Sequence, residues 1–279
     1  MRATMPVALT IAGSDSGGGA GIQADLKTFH AFGVFGTSAI TAITVQNTMG
    51  VTGVHPVPLN IVRAQIEAVA TDLRPAACKS GMLATRQLVQ EVAAAIRECG
   101  LHRYVLDPVM VATSGDRLLD EDAVDAVSTQ LMPLATLVTP NLDEAAILAG
   151  FEMADVARMR DAARALCDGG AAAALVKGGH LKDDVLVDVY FDGTVMHEFR
   201  RPRLDTRHTH GTGCTLSAAV AAGLATGIAL DEAVEAALDY VHRAIAQAPG
   251  LGRGNGPLNH FVAAHPPDRQ ESRRTTRGR

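Results

Sequence analysis

The segment His208-Thr209-His210-Gly211-Thr212-Gly213-Cys214-Thr215 runs into an alanine-rich stretch. Glycines at 211 and 213 let backbone N–H groups face one way at a helix start. Such a turn holds an anion, and the helix dipole adds to the attraction. Cys214 falls in the first turn, where a thiol's pKa tends to drop. A helix entry with a small buried cysteine is the plain structural alternative. Lysine is scarce: of the 25 basic residues only Lys27, Lys79, Lys177 and Lys182 are lysines. A lysine in an unusual place therefore carries information. Lys177 ends an apolar run, Leu175-Val176, just before Gly178-Gly179-His180. A compact positive charge there suits a phosphate, unless the side chain merely snorkels from a sheet end.

Carboxylates recur at matching places. In Thr139-Pro140-Asn141-Leu142-Asp143-Glu144 the spacing of Asn141 and Glu144 fits a helix capping box. The alternative puts both on one face, ordering the water shell of Mg²⁺, which keeps several waters and takes few protein ligands. Asp107 follows Val105-Leu106 and precedes Pro108. It points to the same metal or its waters, or it simply opens a turn. A fifth stretch runs from Ala12-Gly13-Ser14-Asp15-Ser16 to Gly21, then Asp25, and later Gln46-Asn47. Within it, Gly19-Ala20-Gly21-Ile22-Gln23-Ala24 matches a dinucleotide fingerprint, yet no acid stands about 20 residues on to hold a ribose. No G-x-x-x-x-G-K-[ST] loop occurs either, which disfavours a Walker-type ATPase.

These stretches need a scaffold. Short apolar runs at 7–12, 37–45, 76–80, 104–107, 136–139 and 173–177 read as strands. Helical spacing marks 22–32, 60–73, 85–99, 120–131, 142–149 and 155–167, and long helices at 215–225 and 230–248. Residues 185–191 and 194–200 read as a hairpin about Asp192-Gly193. Strand–helix alternation with wholly apolar strands is the pattern of a mainly parallel α/β sheet covered on both faces. In such sheets ligands bind beyond the carboxyl ends of the strands, where the stretches above lie. One domain is expected over 1–262, with an Arg-rich, disordered tail at 263–279.

Bulk composition narrows the function. The chain has 279 residues and a formal net charge of −5, with 4% aromatics and no Trp. It has neither the basic field nor the stacking residues of a nucleic-acid binder. No apolar run is long enough for a membrane span, and no signal peptide is evident at the N-terminus. The four cysteines, Cys78, Cys99, Cys167 and Cys214, form no C-x-x-C pair, so reduced thiols in a cytoplasmic protein are expected.

Seven segments, in order, resemble the hydroxymethylpyrimidine/phosphomethylpyrimidine kinases of thiamine biosynthesis. They are AGSDSGGGAGIQADLKTF (12–29), TAITVQNT (41–48), KSGML (79–83), VLDPVM (105–110), TPNLDEA (139–145), VKGGH (176–180) and HTHGTGCTLSAA (208–219). The resemblance implies a ribokinase-like three-layer α/β sandwich and ATP-dependent phosphorylation of the pyrimidine alcohol and then of its monophosphate. It implies Asp25 and Gln46 as substrate contacts and Gly13, Met82 and Val109 as pocket walls. Lys177 is implied on the ATP phosphates, with Thr139 and Asn141 also in the ATP-binding site. Asp107 and Glu144 are implied on the Mg²⁺ side through water. Gly211, Thr212 and Gly213 are the implied anion hole, Cys214 the implied proton acceptor, and a homodimer the implied assembly. Pyridoxal kinase is the near alternative, since both acceptors are flat nitrogen rings bearing a hydroxymethyl group. More distant are an acyl-transfer hydrolase built on Cys214 with His208 or His210, and a non-catalytic nucleotide-binding module.

Overall fold

A computed structural model describes residues 5–110, 121–179 and 184–264. His180, Lys182 and the 265–279 part of the expected tail lie outside the described residues. One nine-stranded sheet has the order β3-β2-β1-β4-β5-β6-β7-β8-β9. Its strands are β1 (Val7–Ser14), β2 (Phe35–Asn47), β3 (Gly50–Pro56), β4 (Ala77–Ser80), β5 (Tyr104–Leu106), β6 (Leu137–Val138), β7 (Ala174–Val176), β8 (Val185–Phe191) and β9 (Met196–Pro202). The run from β2 to β7 is parallel, and an antiparallel strand or hairpin closes each edge. The helices are α1 (Gly21–Ala31), α2 (Leu59–Asp72), α3 (Arg86–Glu98), α4 (Glu121–Ala126), α5 (Leu142–Ala149), α6 (Val156–Asp168), α7 (Thr212–Thr226) and α8 (Leu230–Ala246).

Side chains on a strand alternate faces, and here the alternation builds two cores. Leu9, Cys78, Tyr104, Leu106, Val138, Ala174 and Val176 pack under α2–α6. Ala8, Ala77, Val105, Leu137 and Leu175 pack under α1, α7 and α8. The same period of two carries chemistry. Thr10, Lys79, Asp107, Thr139 and Lys177 each stand two residues beyond Ala8, Ala77, Val105, Leu137 and Leu175. They inherit the face of α1 and α7, and all but Thr10, which lies mid-strand in β1, stand where the apolar stretch ends. Backbone hydrogen bonds carry the register past the strand ends, from Asp107 N to Ser80 O, Thr139 N to Leu106 O and Lys177 N to Pro140 O.

The expected alternation holds, with two differences. β2 runs to Asn47 and pairs with β3, a strand absent from the sequence-based expectation. Gly50, Gly53 and Pro56 dilute its strand signal, as they commonly do on an edge. The expected helix 120–131 is α4 only to Ala126. It then widens into a π turn, Val127–Leu131, and tightens to a 3₁₀ turn, Met132–Leu134, that carries Pro133.

Gly178 is required by close packing. A β-carbon there would stand 1.9 Å from Val187 O on β8. Gly178→Ala should therefore cost about 1–3 kcal/mol, the usual range for overpacking, and urea denaturation of the two proteins would measure it.

Candidate active site

The decisive geometry lies at the start of α7. Gly211 is its N-cap, in the left-handed region at φ 84°. A side chain there is excluded twice, since a β-carbon would meet Gly19 O at 1.8 Å. Gly211 offers no capping side chain, so the first-turn N–H groups of α7 have no side-chain acceptor. A β-carbon placed on Gly213 would stand 3.2 Å from Lys177 Nζ and 3.7 Å from Asp107 Oδ2. The ammonium and the open helix start thus face one small space.

Lys177 is largely buried. Its Nζ lies 3.4 Å from Asp107 Oδ1 and 4.0 Å from Glu144 Oε2. Burial alone would lower its pKa, but Asp107 and Glu144 outweigh that and raise it, so the charge stays on. Asp107 also accepts from Thr139 Oγ1 at 3.4 Å and from Ser217 Oγ of α7 at 3.2 Å. Burial pushes Glu144 up to about 7, with Lys177 opposing the rise. Behind the lysine, buried Asp188 of β8 accepts from Gly178 N at 2.9 Å. It anchors the loop that presents Lys177.

Several expected roles change. Asn141 and Glu144 form the full capping box, 2.9 and 2.8 Å in the two directions. The Asn141 side-chain oxygen is spent on the helix rather than offered to a nucleotide. Thr139 is fully buried, with its hydroxyl 3.4 Å from both Asp107 Oδ1 and Leu106 O, so it supports the carboxylate. Asp25 is fully buried on α1. It accepts from Thr10 Oγ1 at 2.6 Å and from Lys79 Nζ at 3.1 and 3.2 Å, so both carboxylate oxygens are engaged within the protein. The expected fall in the Cys214 pKa is reversed. Burial pushes the thiol up to about 12, with Asp25 and Asp107 adding to the rise and Lys79 opposing it. The thiol, though only half-buried by exposure, loses more to desolvation than it gains from one helix terminus.

Other expectations meet. A β-carbon on Gly13 would stand 2.6 Å from Met82 Cε, so these two form one wall. Val109 lines a small cleft with Gly81 and Asp107. Gln46 is half-buried at the end of β2, its amide 3.4 Å from His210 Nε2. The dinucleotide-like loop is filled by the protein's own anion: Asp15 accepts from the N–H groups of Gly17, Gly19 and Ala20. Those amides have no phosphate to hold. His210 Nε2 turns to Asp15 at 2.9 Å, and among the described residues no hydrogen bond joins His208 or His210 to Cys214. The hydrolase pairing is not formed. The glycine-dense segment 250–256 ties the β2–β3 turn to the loop that leads into α7, through Asn255 N to Thr48 O and His210 N to Gly256 O.

Lys79 was given no role from sequence. It is fully buried and pairs with Asp25 beneath Cys214. Asp25 outweighs burial and keeps its ammonium charged. Its signal was present, as one of four lysines set in the apolar run before Ser80.

The phosphomethylpyrimidine kinase family model matches residues 15–259. The chain belongs to the phosphomethylpyrimidine kinase family. A hydroxymethylpyrimidine/phosphomethylpyrimidine kinase of Rhizobium meliloti is 56% identical over 258 residues, covering 91% of this chain and 97% of the relative. That of Bacillus subtilis is 48% identical, covering 91% and 94%. Among solved structures, an ADP complex of Bacillus subtilis pyridoxal kinase superposes with a TM-score of 0.86 at 41% identity, covering 92% of this chain and 98% of that one. A phosphomethylpyrimidine kinase of Clostridium difficile 630 gives 0.78 at 39%, covering 86% and 99%. The family's kinase fold accounts for the mainly parallel sheet and for the position of the site at its carboxyl edge.

The lysine loop carries a pH signature. Burial raises Asp188 from its ordinary 3.8 to about 6, with Gly178 N–H and Arg201 opposing. The folded protein keeps this proton where the unfolded chain has lost it. The group's stabilising contribution is full below about 3.8 and is lost as pH rises through about 6. Asp188→Asn should flatten that fall, visible in urea midpoints taken across this pH window.

Proposed function

We propose that this chain transfers the γ-phosphoryl group of ATP to 4-amino-5-hydroxymethyl-2-methylpyrimidine and then to the resulting monophosphate, the steps that supply the pyrimidine of thiamine. The observation that carries this is the convergence of Lys177 Nζ on the uncapped start of α7, 3.2 Å from a β-carbon position on Gly213. Phosphoryl transfer asks little covalent chemistry of the protein; positioning and charge stabilisation dominate. Lys177 and the amides of Gly211 and Gly213 at the start of α7 take the charge on the transferred group, whereas the Thr212 N–H, expected among them, is already donated to Thr209 O at 3.2 Å. Asp25, Gln46, Gly13, Met82 and Val109 surround the acceptor, with Asp25 acting from the buried base of the pocket.

Two carboxylates, Asp107 and Glu144, flank Lys177 at this start. Among the described residues no three His, Cys, Asp or Glu side chains gather to hold a cation alone. The pair suits a Mg²⁺ that arrives with the triphosphate and keeps most of its waters. The ion's contribution there is charge neutralisation on the phosphates.

Cys214 borders the acceptor. The alcohol step must lose a proton, whereas a phosphate acceptor is already ionised. If Cys214 takes that proton, its raised pKa of about 12 makes kcat/KM for the alcohol rise with pH between about 7 and 9, because only the thiolate is a base. Cys214→Ala should abolish this rise and cost the alcohol step about 10²–10⁴-fold, with a smaller loss for the phosphate step. Equal losses and flat profiles would assign Cys214 to positioning alone. The assay is ADP release with hydroxymethylpyrimidine, its monophosphate and pyridoxal as acceptors. Pyridoxal is included because pyridoxal kinases superpose so closely. Turnover of pyridoxal alone would replace the pyrimidine assignment.

A cytoplasmic homodimer is the proposed setting. Among the described residues no helix is long and apolar enough to cross a membrane. Ile43 and Val45 leave an exposed apolar surface on one face of the β2–β3 hairpin, which a second copy would cover. Sedimentation should show a dimer that Val45→Lys weakens.

A further inference from the structure

A chain of polar groups that the transfer chemistry leaves unused runs from the N-terminal loop to Gln46. Asp15 is 2% exposed. Its Oδ1 accepts from Gly17 N at 2.7 Å, and its Oδ2 from Gly19 N at 2.9 Å and Ala20 N at 2.8 Å. The same Oδ2 lies 2.9 Å from His210 Nε2. Burial alone would raise the Asp15 pKa, but the His210 hydrogen bond and the loop N–H groups outweigh it and lower it. The imidazole is fixed: His210 N donates to Gly256 O, and a β-carbon on Gly19 would meet His210 Cδ2 at 2.6 Å.

Donors and acceptors can be counted along this chain. An ionised carboxylate only accepts, so His210 Nε2 must carry a hydrogen. Its next neighbour is the Gln46 amide at 3.4 Å. The other end of that amide lies 3.2 Å from Thr44 Oγ1, and Thr44 donates its one hydrogen to Ser14 O at 2.7 Å. As placed, the amide nitrogen faces His210 and the oxygen faces Thr44. That sets two N–H donors against each other and asks one hydroxyl hydrogen to serve two acceptors. The two ends of an amide have nearly the same shape, and the hydrogen-bond network decides between them. Turning the amide over replaces the donor–donor clash and frees Thr44. Its oxygen then takes the longer, 3.4 Å arm of a three-centre bond from the Nε2–H whose shorter, 2.9 Å arm goes to Asp15, and its NH₂ donates to Thr44.

We propose that Asp15, acting through the Nε2–H of His210, fixes the Gln46 amide with its oxygen toward His210 and its NH₂ toward Thr44, and that His210 is thereby a specificity-determining positioning residue for the acceptor ring. The specificity half rests on Gln46 meeting the acceptor, as the proposed function has it. A fixed amide leaves one N–H and one oxygen lone pair in a set order. A ring nitrogen beside an amino group matches one order, and a ring N–H beside a carbonyl matches the other. An amide free to turn would accept either, so His210 selects the 4-amino ring over its 4-oxo counterpart.

Two measurements on the full chain test this. In uniformly ¹⁵N-labelled protein, long-range ¹H–¹⁵N correlation should show His210 protonated at Nε2, its signal assigned by its loss in His210→Gln. A bare Nε2 with the hydrogen on Nδ1 overturns the proposal, whatever the enzyme phosphorylates. In kinetics, kcat/KM is compared for 4-amino- and 4-oxo-5-hydroxymethyl-2-methylpyrimidine. His210→Phe, which lacks the donor, should lower the amino-to-oxo ratio about tenfold, the scale of one hydrogen bond. His210→Gln keeps an N–H at a similar reach and should restore the ratio. Thr44→Val frees the amide's other end and should shift the ratio the same way, which covers the case where His210→Phe does not fold. Variants that lose activity on both rings equally, with the ratio unchanged, would reduce His210 to a structural latch. If the unmodified enzyme phosphorylates neither ring, the proposed function fails with the specificity claim, while the protonation result still decides the amide's orientation.

Discussion

The site depends on one ammonium held at a sheet edge. Lys177 sits where β7 ends, largely removed from water, between Asp107 and Glu144 and opposite the first turn of α7. Alone it would be costly to bury, and so would either carboxylate. Together they hold each other in place. The balance is incomplete, since burial still pushes Glu144 up to about 7. An incoming anion can therefore draw on a charge already aimed at it, with little reorganisation. That is the condition under which electrostatic stabilisation counts most.

A second buried pair, Lys79 and Asp25, lies on the other side of Cys214. It is the more enclosed of the two pairs, with both partners fully buried. Breaking a buried pair by removing one partner is typically worth about 3–5 kcal/mol, so Lys79 and Asp25 constrain this region whatever they contribute to binding. Around both pairs, loops are pinned to loops by backbone contact. Gly211 rests on Gly19, the 250–256 segment bridges Thr48 and His210, and Asp15 fills the amide nest of the N-terminal loop. These contacts rigidify the elements that hold reacting groups, the supporting shell that such sites need.

Much of this was legible from residue order. The apolar runs and their glycine stops marked most elements to within a few residues. The placement of Asp107, Thr139 and Lys177 at strand ends followed from the α/β pattern, because such sheets bind ligands beyond their carboxyl edges. The edge strand β3 was not legible, since Gly50, Gly53 and Pro56 obscure its alternation. Cys214 was misjudged in direction. Its helix position is a local property, but its burial is supplied by α1 and β4, far away in sequence.

What residue order determined by itself is periodic or local: two-sided strands, the capping box at Asn141 and Glu144, the glycines that open the start of α7, and the family to which the motifs belong. What only the tertiary structure decided is which polar groups share a dry space. Lys79 meets Asp25 across 54 residues, and His210 meets Asp15 across 195. No local rule links such distances along the chain. A buried charge or donor takes its state from whatever group the packing brings to it, so the roles of Asp25, Thr139, Cys214 and His210 emerged only with the fold.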